Sequence, residues 1–192
     1  MKKGNILFLN GVSNAGKSTL TKVLQKKLSQ PYYHICCDNF MNMSQKQILH
    51  DDFYNQVNIT HGIMHETIAL FSDKGHNVIV DDVVIDLPEA YNWMYDYVSM
   101  FENYPVLSVR IDCPVEELER RKKIRGDRSI GQSKWQLEQM NSSWTYDLIV
   151  NTFDNTTEEC ADKIISMLQK QNEWNAFKVL KERFKKERIF KI

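Results

Sequence analysis

A chain of 192 residues is long enough for one domain with a sizeable core and a small appendage. Hydrophobic residues make up 42% and charged residues 26%, and 25 Lys/Arg against 25 Asp/Glu leave no net charge, which argues against nucleic acid or an anionic membrane as the target. No apolar run approaches the ~20 residues of a membrane-spanning helix, and Met1-Lys2-Lys3-Gly4 runs straight into a strand pattern without room for a signal peptide. Four cysteines (Cys36, Cys37, Cys113, Cys160) with no C-x-x-C pair are too few for a disulfide framework, so a reducing, cytoplasmic setting is expected.

Residues 5–10 form a short apolar run of strand length, and Gly11-Val12-Ser13-Asn14-Ala15-Gly16-Lys17-Ser18-Thr19 follows with the spacing G-x-x-x-x-G-K-S, the phosphate-binding P-loop. Residues 17–28 then place Leu20, Val23, Leu24 and Leu28 on one helical face. A chance Gly-containing turn would not come with both a strand before it and a helix after it. Gly11 and Gly16 let the backbone turn tightly beside a polyphosphate, whose oxygens meet N–H groups of residues 13–19 at a helix N-terminus. Lys17 reaches the β- and γ-phosphates, and the Ser18 hydroxyl is placed to ligate Mg²⁺.

After Pro31, residues 32–37 read as a second strand, ending at Asp38. Residues 39–58 are polar and Met-rich, with weak periodicity, and are expected to be irregular and partly helical. Residues 60–72 carry a helix pattern with Ile63, Thr67, Leu70 and Phe71 inward, closed by Gly75. Residues 76–82 are the strongest strand, apolar until Asp81 and Asp82. Pro88 opens a helix to about Phe101, residues 104–111 form the fourth strand, and residues 115–140 hold two helical stretches around Arg125-Gly126-Asp127-Arg128. A fifth short strand over 146–150 precedes helices over 156–169 and 174–190. This alternation predicts an α/β, three-layer P-loop fold: a five-stranded parallel sheet flanked by helices. The expected organisation is a kinase domain over 1–170, with a lid at about 115–142, and an amphipathic helical extension over 171–192.

Ligands of open parallel sheets sit at the carboxyl ends of the strands. Asp38, Asp81, Asp82 and the P-loop all fall there, so they are expected to share one cleft. Asp81 or Asp82 fits the acidic residue that holds Mg²⁺, and strand alternation sends the two to opposite faces. Asp38 suits a general base that takes a proton from an attacking hydroxyl, or a helix N-cap, and position alone leaves both open. Glu119 to Arg128 packs six cations into ten residues. Such a run is commonly a solvated face. Here it follows strand four, Gly126 supplies a hinge, and Arg121, Arg125 and Arg128 recur at helical spacing, which favours a lid that brings cations to a transferring phosphoryl group and excludes water. The run lacks the interleaved aromatics of a nucleic-acid surface.

Leu9-Asn10-Gly11, Ser13, Ala15-Gly16-Lys17-Ser18, Asp38, Val80-Asp81-Asp82-Val83, Arg121, Arg125-Gly126-Asp127-Arg128 and Tyr146-Asp147 with Val150-Asn151-Thr152 together resemble the chloramphenicol phosphotransferase-like family of P-loop kinases. The spacing from Cys113 to Arg128 matches its pattern without a gap, and the resemblance covers about residues 4 to 168. It implies ATP- and Mg²⁺-dependent phosphorylation of a small-molecule hydroxyl, with antibiotic inactivation as the type activity. It also implies Asp38 as catalytic base, Lys17 as phosphate lysine, and Arg121, Arg125 and Arg128 as lid arginines. Two departures stand out: Asn141 where relatives often carry His, and a segment 39–61 without a match.

Other features have plainer readings. His61 and His65 stand at a metal-binding spacing of four, but without an H-E-x-x-H pattern they are expected on the helix surface. His50-Asp51-Asp52 reads as a substrate contact or a solvated turn. Phe40, Met41, Met43 and Phe53 read as an adaptable pocket or as core. From Trp174 onward seven Lys/Arg face two Glu around a Trp174, Phe177, Leu180, Phe184 and Phe190 stripe, expected to dock on its own domain or on a second subunit rather than on a membrane. Among functional classes, a small-molecule kinase leads. A nucleotide or toxin-like sugar-nucleotide kinase would need cations for its acceptor within 39–60, where Lys46 stands alone. A switch NTPase or ATP-binding module lacks support, as no N-K-x-D motif is present.

Overall fold

The computed structural model describes residues 2–45, 52–85, 92–125, 131–140 and 143–189, with backbone alone for 125 and 187–189. Strands β1 (Ile6–Asn10), β2 (Tyr32–Cys36), β3 (Asn77–Asp82), β4 (Val106–Asp112) and β5 (Leu148–Asn151) form one sheet in the order β2-β3-β1-β4-β5, every pair parallel. Parallel neighbours need crossovers, and helices supply them. In chain order these are α1 (Lys17–Lys27), α2 (Cys37–Met41), α3 (Phe53–Asp73), α4 (Trp93–Phe101), α5 (Val115–Arg125), α6 (Gln132–Gln139), α7 (Thr157–Leu168) and α8 (Ala176–Ile189). The expected α/β architecture, a five-stranded parallel sheet flanked by helices, is the one found.

β1 is buried along its whole length because helices cover both of its faces. Strand alternation divides the core. Ile6 and Phe8, with Val78 and Val80, pack against Met64 and Ile68 of α3, Tyr97 of α4 and Leu180 of α8. Leu7 and Leu9, with Ile79 and Leu107, pack against Leu20 and Leu24 of α1 and Ile164 of α7. Each such side chain stabilises the fold by about 1.5–3 kcal/mol. The register sets Asn10 beside Asp82 and Leu9 beside Asp81, so the P-loop and the paired carboxylates emerge from adjacent strand ends.

Two helices differ from expectation. α3 already begins at Phe53, inside the stretch expected to be irregular and partly helical and ahead of the helix expected from residue 60, and its buried face runs through Val57, His61, Met64, His65, Ile68, Ala69 and Ser72. Ile63 and Leu70, expected inward, are 54% and 57% exposed. His61 and His65, expected on the surface, are core residues because aromatic rings accept them: His65 lies 4.1 Å from Tyr97 and His61 4.8 Å from Trp93. α2 is a single turn immediately after β2, and Cys36, not Asp38, occupies its N-cap position.

The C-terminal stripe docks on its own domain. Phe177 meets Phe8 at 5.8 Å and Phe184 meets Tyr95 at 5.6 Å. Asp147 fixes where α8 starts, its Oδ1 accepting from the N–H groups of Asn175 and Ala176 at 2.7 and 2.8 Å. α7 opens on a capping box between Thr156 and Glu159. Among the described residues no helix is long and apolar enough to cross a membrane. Pro88, His50-Asp51 and Phe190 lie outside the described residues.

Candidate active site

The loop between β1 and α1 holds two residues in the left-handed region, Asn14 at φ 66° and Gly16 at φ 94°. Asn tolerates this conformation better than other residues with a Cβ, and Gly adopts it freely. Gly11 passes so close to β4 that a Cβ would stand 2.7 Å from the Ile111 carbonyl oxygen. Lys17 is buried under the loop, its Nζ donating to the carbonyls of Gly11 at 2.8 Å and Val12 at 3.2 Å, with Asp81 Oδ1 at 3.7 Å. The Ser18 hydroxyl donates to Asp81 Oδ2 at 2.6 Å.

Asp81 and Asp82 point to opposite faces of β3, as alternation predicts. Asp81 faces Lys17, Ser18 and His34, whose Nε2 lies 3.4 Å from Asp81 Oδ2. Burial pushes the Asp81 carboxyl up, but Lys17, His34 and Ser18 outweigh it and hold it below the usual carboxylate range. Asp82 faces inward and accepts from Tyr97 Oη at 2.7 Å and from the Val83 N–H at 2.8 Å, with His61 Nε2 at 3.2 Å. Burial raises it too, yet these partners, His61 foremost, bring it down. Burial, reinforced by Asp82 and Asp38, pushes the neighbouring Cys37 thiol well above the usual thiol range.

The cationic run contributes through α5. Arg121 is braced by Glu117 Oε1 at 2.7 Å and donates to Thr152 Oγ1 at 3.0 Å, to the Thr152 carbonyl at 2.8 Å and to the Asn14 carbonyl at 3.5 Å. It fastens the P-loop to the turn after β5. The side chain of Arg125 and all of Arg128 and Asn141 lie outside the described residues.

Polar residues of α6 clamp the same loop. Ser133 Oγ accepts from Asn14 Nδ2 at 3.0 Å and donates to the Ser13 carbonyl at 2.9 Å, while Gln136 Oε1 accepts from the Ser13 N–H at 2.8 Å. Asn10 Nδ2 donates to Tyr146 Oη at 2.9 Å, and the Asn10 side chain also bonds both backbone groups of Val84, tying the segment after β3 to the end of β1. None of His34, Ser133 and Gln136 was singled out from sequence. The one available signal was the i, i+3 spacing of Ser133 and Gln136 just after the run.

Two cavities meet here. The first, of about 90 Å³, is lined by Gly16, Lys17, Ser18, Thr19 and Asp81 among others. The second, of about 250 Å³, is walled by Phe53, Tyr54 and Val57 of α3, Trp93 of α4 and Trp135 of α6. Ser13, Cys37, Asp38, Asp82 and Val83 line both. Asp38 therefore stands at the junction, within the first turn of α2.

Comparison with known proteins bears on the family and the fold. A provisionally named O-phosphotransferase of Mycobacterium tuberculosis is 25% identical over 208 residues, covering 96% of this chain and 91% of that protein. An adenylyl-sulfate kinase of Clostridium acetobutylicum is 27% identical over 177 residues, covering 88% of this chain and 84% of its own length. The solved structure of the Mycobacterium tuberculosis APS kinase, in complex with AMPPNP and APS, shares the fold with a TM-score of 0.64 at 19% identity, over 88% of this chain and 99% of that one. The model of the family described as chloramphenicol phosphotransferase-like protein matches residues 4–169, nearly the whole chain. The chain belongs to the chloramphenicol phosphotransferase-like family and is a phosphotransferase of the P-loop kinase type.

Proposed function

We propose that this protein transfers the γ-phosphoryl group of ATP to a hydroxyl of an uncharged small molecule, an antibiotic-like compound or a metabolite, with chloramphenicol's primary alcohol as the reference acceptor. The observation that carries this reading is the position of Asp38, which lines both the P-loop cavity and the aromatic-walled one. A hydroxyl of a substrate in the second cavity, held at the junction of the two, would lie beside Asp38 and face the phosphates. The Asp38 carboxylate accepts the hydroxyl proton, the substrate oxygen bonds to the γ-phosphorus, and the bond to the bridging oxygen breaks to release ADP. Lys17, which rests on the loop carbonyls at 2.8 and 3.2 Å, would turn to the β- and γ-phosphates.

Ser18 and Asp81 fit a Mg²⁺ ion, since two hard oxygens already lie 2.6 Å apart beside a carboxyl kept ionised by its partners. When bound, Mg²⁺ would neutralise charge on the phosphate oxygens. The family pattern assigns Arg121, Arg125 and Arg128 to the same electrostatic task, and Arg121 already lies against the loop through the Asn14 carbonyl.

A second reading, phosphorylation of an anionic nucleotide, is favoured by the likeness to adenylyl-sulfate kinase. Against it, the described residues lining the second cavity include two carboxylates and no Lys or Arg. Charged acceptors need cations there. A screen of ATP consumption over hydroxylated antibiotics, uncharged metabolites and adenylyl sulfate separates the two. Stimulation by an uncharged alcohol, lost in Asp38→Asn and Lys17→Ala, supports the first reading. Asp38→Asn turning over as fast as the parent would refute the base assignment, and stimulation by adenylyl sulfate alone would establish the second reading.

A further inference from the structure

Three donors of different hardness meet at the floor of the second cavity, on the face of β3 that Asp81 does not use. Cys37 opens α2, His61 sits in α3 and Asp82 ends β3. One sulfur, one ring nitrogen and one carboxylate oxygen from these residues all lie within 4.8 Å of one another. His61 and Asp82 are buried at 3% and 4% exposure, and all three residues line the cavity. His61 Nδ1 is buried without a hydrogen-bond partner. The oxygens of Asp82 are met by His61, Tyr97 and the Val83 N–H, none of which carries a permanent positive charge.

We propose that Cys37, His61 and Asp82 form a binding site for a zinc-class divalent ion, with its open coordination position facing the second cavity. A sulfur, nitrogen and oxygen set suits Zn²⁺ and its neighbours, whereas Mg²⁺ takes oxygen ligands. Three protein ligands and one open position are the pattern of accessible zinc sites. Ligand atoms of a tetrahedral zinc site stand roughly 3.5 Å apart, given bond lengths of about 2.0–2.3 Å. His61 Nε2 and Asp82 Oδ2 already meet that spacing at 3.2 Å, and closing the site requires the Cys37 sulfur to draw in from a separation of up to 4.8 Å. A thiolate and a carboxylate cancel the ion's two charges, the thiol proton passing to water and the imidazole proton moving from Nε2, where it faces Asp82, to Nδ1. The adjacent carboxylates thus divide by chemistry: Asp81 with Ser18 offers hard oxygens, and Asp82 completes a softer set. The site does not depend on which acceptor the enzyme phosphorylates.

The test uses the metal-free full chain and Co²⁺ alone as a coloured stand-in for Zn²⁺. The expected result is a sulfur-to-cobalt charge-transfer band that saturates at one ion per chain, is displaced by Zn²⁺ and resists excess Mg²⁺. The band should survive Cys36→Ser and vanish in Cys37→Ser. Competition with a chromophoric chelator should show Zn²⁺ held about a hundredfold less tightly by His61→Gln and by Asp82→Asn. Absence of the band in the unaltered chain, or its persistence in Cys37→Ser, overturns the proposal. Should a variant fail to fold, alkylation of the unaltered chain decides. Zn²⁺ should protect Cys37 from iodoacetamide while Cys36 still reacts, and equal labelling of Cys37 with and without Zn²⁺ overturns the site.

Discussion

The Ser18 hydroxyl donates to Asp81 Oδ2 at 2.6 Å, joining the first turn of α1 to the end of β3. Asp81 also lies 3.7 Å from Lys17, so one carboxylate orients both P-loop side chains that would meet the nucleotide. Asp81→Asn keeps the shape and removes the charge. Phosphoryl transfer should fall by about 10²–10³-fold, because preorganised charge at the transferring group is lost. The check is ATP turnover with the best acceptor from the screen, alongside a thermal melt that shows the fold intact.

Gln136 offers a subtler lever. Its Oε1 accepts from the buried Ser13 N–H, while Ser133 holds both the Asn14 side chain and the Ser13 carbonyl. Truncation in Gln136→Ala removes that acceptor, a cost of about 1–3 kcal/mol that loosens the loop. ATP-analogue affinity should drop by about tenfold, and Gln136→Glu, which retains an acceptor oxygen, should recover most of it. An unchanged affinity in Gln136→Ala would mean that α6 merely covers the loop.

Acid sensitivity follows from His65. Burial, with the stacked His61 ring adding to it, lowers this imidazole from 6.5 to about 4. Between those values the unfolded chain binds a proton that the native chain excludes, so stability declines as pH falls from 6.5 towards 4. The span corresponds to about 3 kcal/mol once both forms are protonated. His65→Phe suits the contacts with Tyr97 and Phe101 and should remove that decline. Urea midpoints at about pH 7 and about pH 4.5 test it: the parent should lose much more than the variant.

Features written in local pattern were legible from sequence. The P-loop follows from its spacing, the five strands from short apolar runs between helix patterns, and the opposite faces of Asp81 and Asp82 from period-two alternation. The buried face of α3 was not, because a histidine counts as polar until its neighbours are known. His61 and His65 are inside only because Asp82, Trp93 and Tyr97 arrive from other elements. α6 hides its role for the converse reason: Ser133 and Gln136 look like surface residues, and their partners lie about 120 positions away. In the cationic run, the Arg121–Glu117 pair is an i, i+4 contact that a helix pattern implies, whereas its bonds to Thr152 depend on β5.

Asp147 is the last case, where a motif noticed through resemblance acquires a physical cause. Its Oδ2 accepts from the Ser108 N–H at 2.9 Å on β4, and its Oδ1 accepts from two N–H groups at the start of α8. One carboxylate thereby anchors the C-terminal helix to the sheet, and its charge lies at the positive end of the helix dipole. Asp147→Ala should cost about 1–2 kcal/mol, the scale of a lost helix cap, and lower Tm by a few degrees. Because α8 buries Phe177 and Leu180 away from both cavities, the KM for ATP should stay unchanged. Hydrogen exchange should quicken in α8 while β1 and β3 stay protected. Equal exchange of α8 in both proteins would show that apolar packing alone holds the helix.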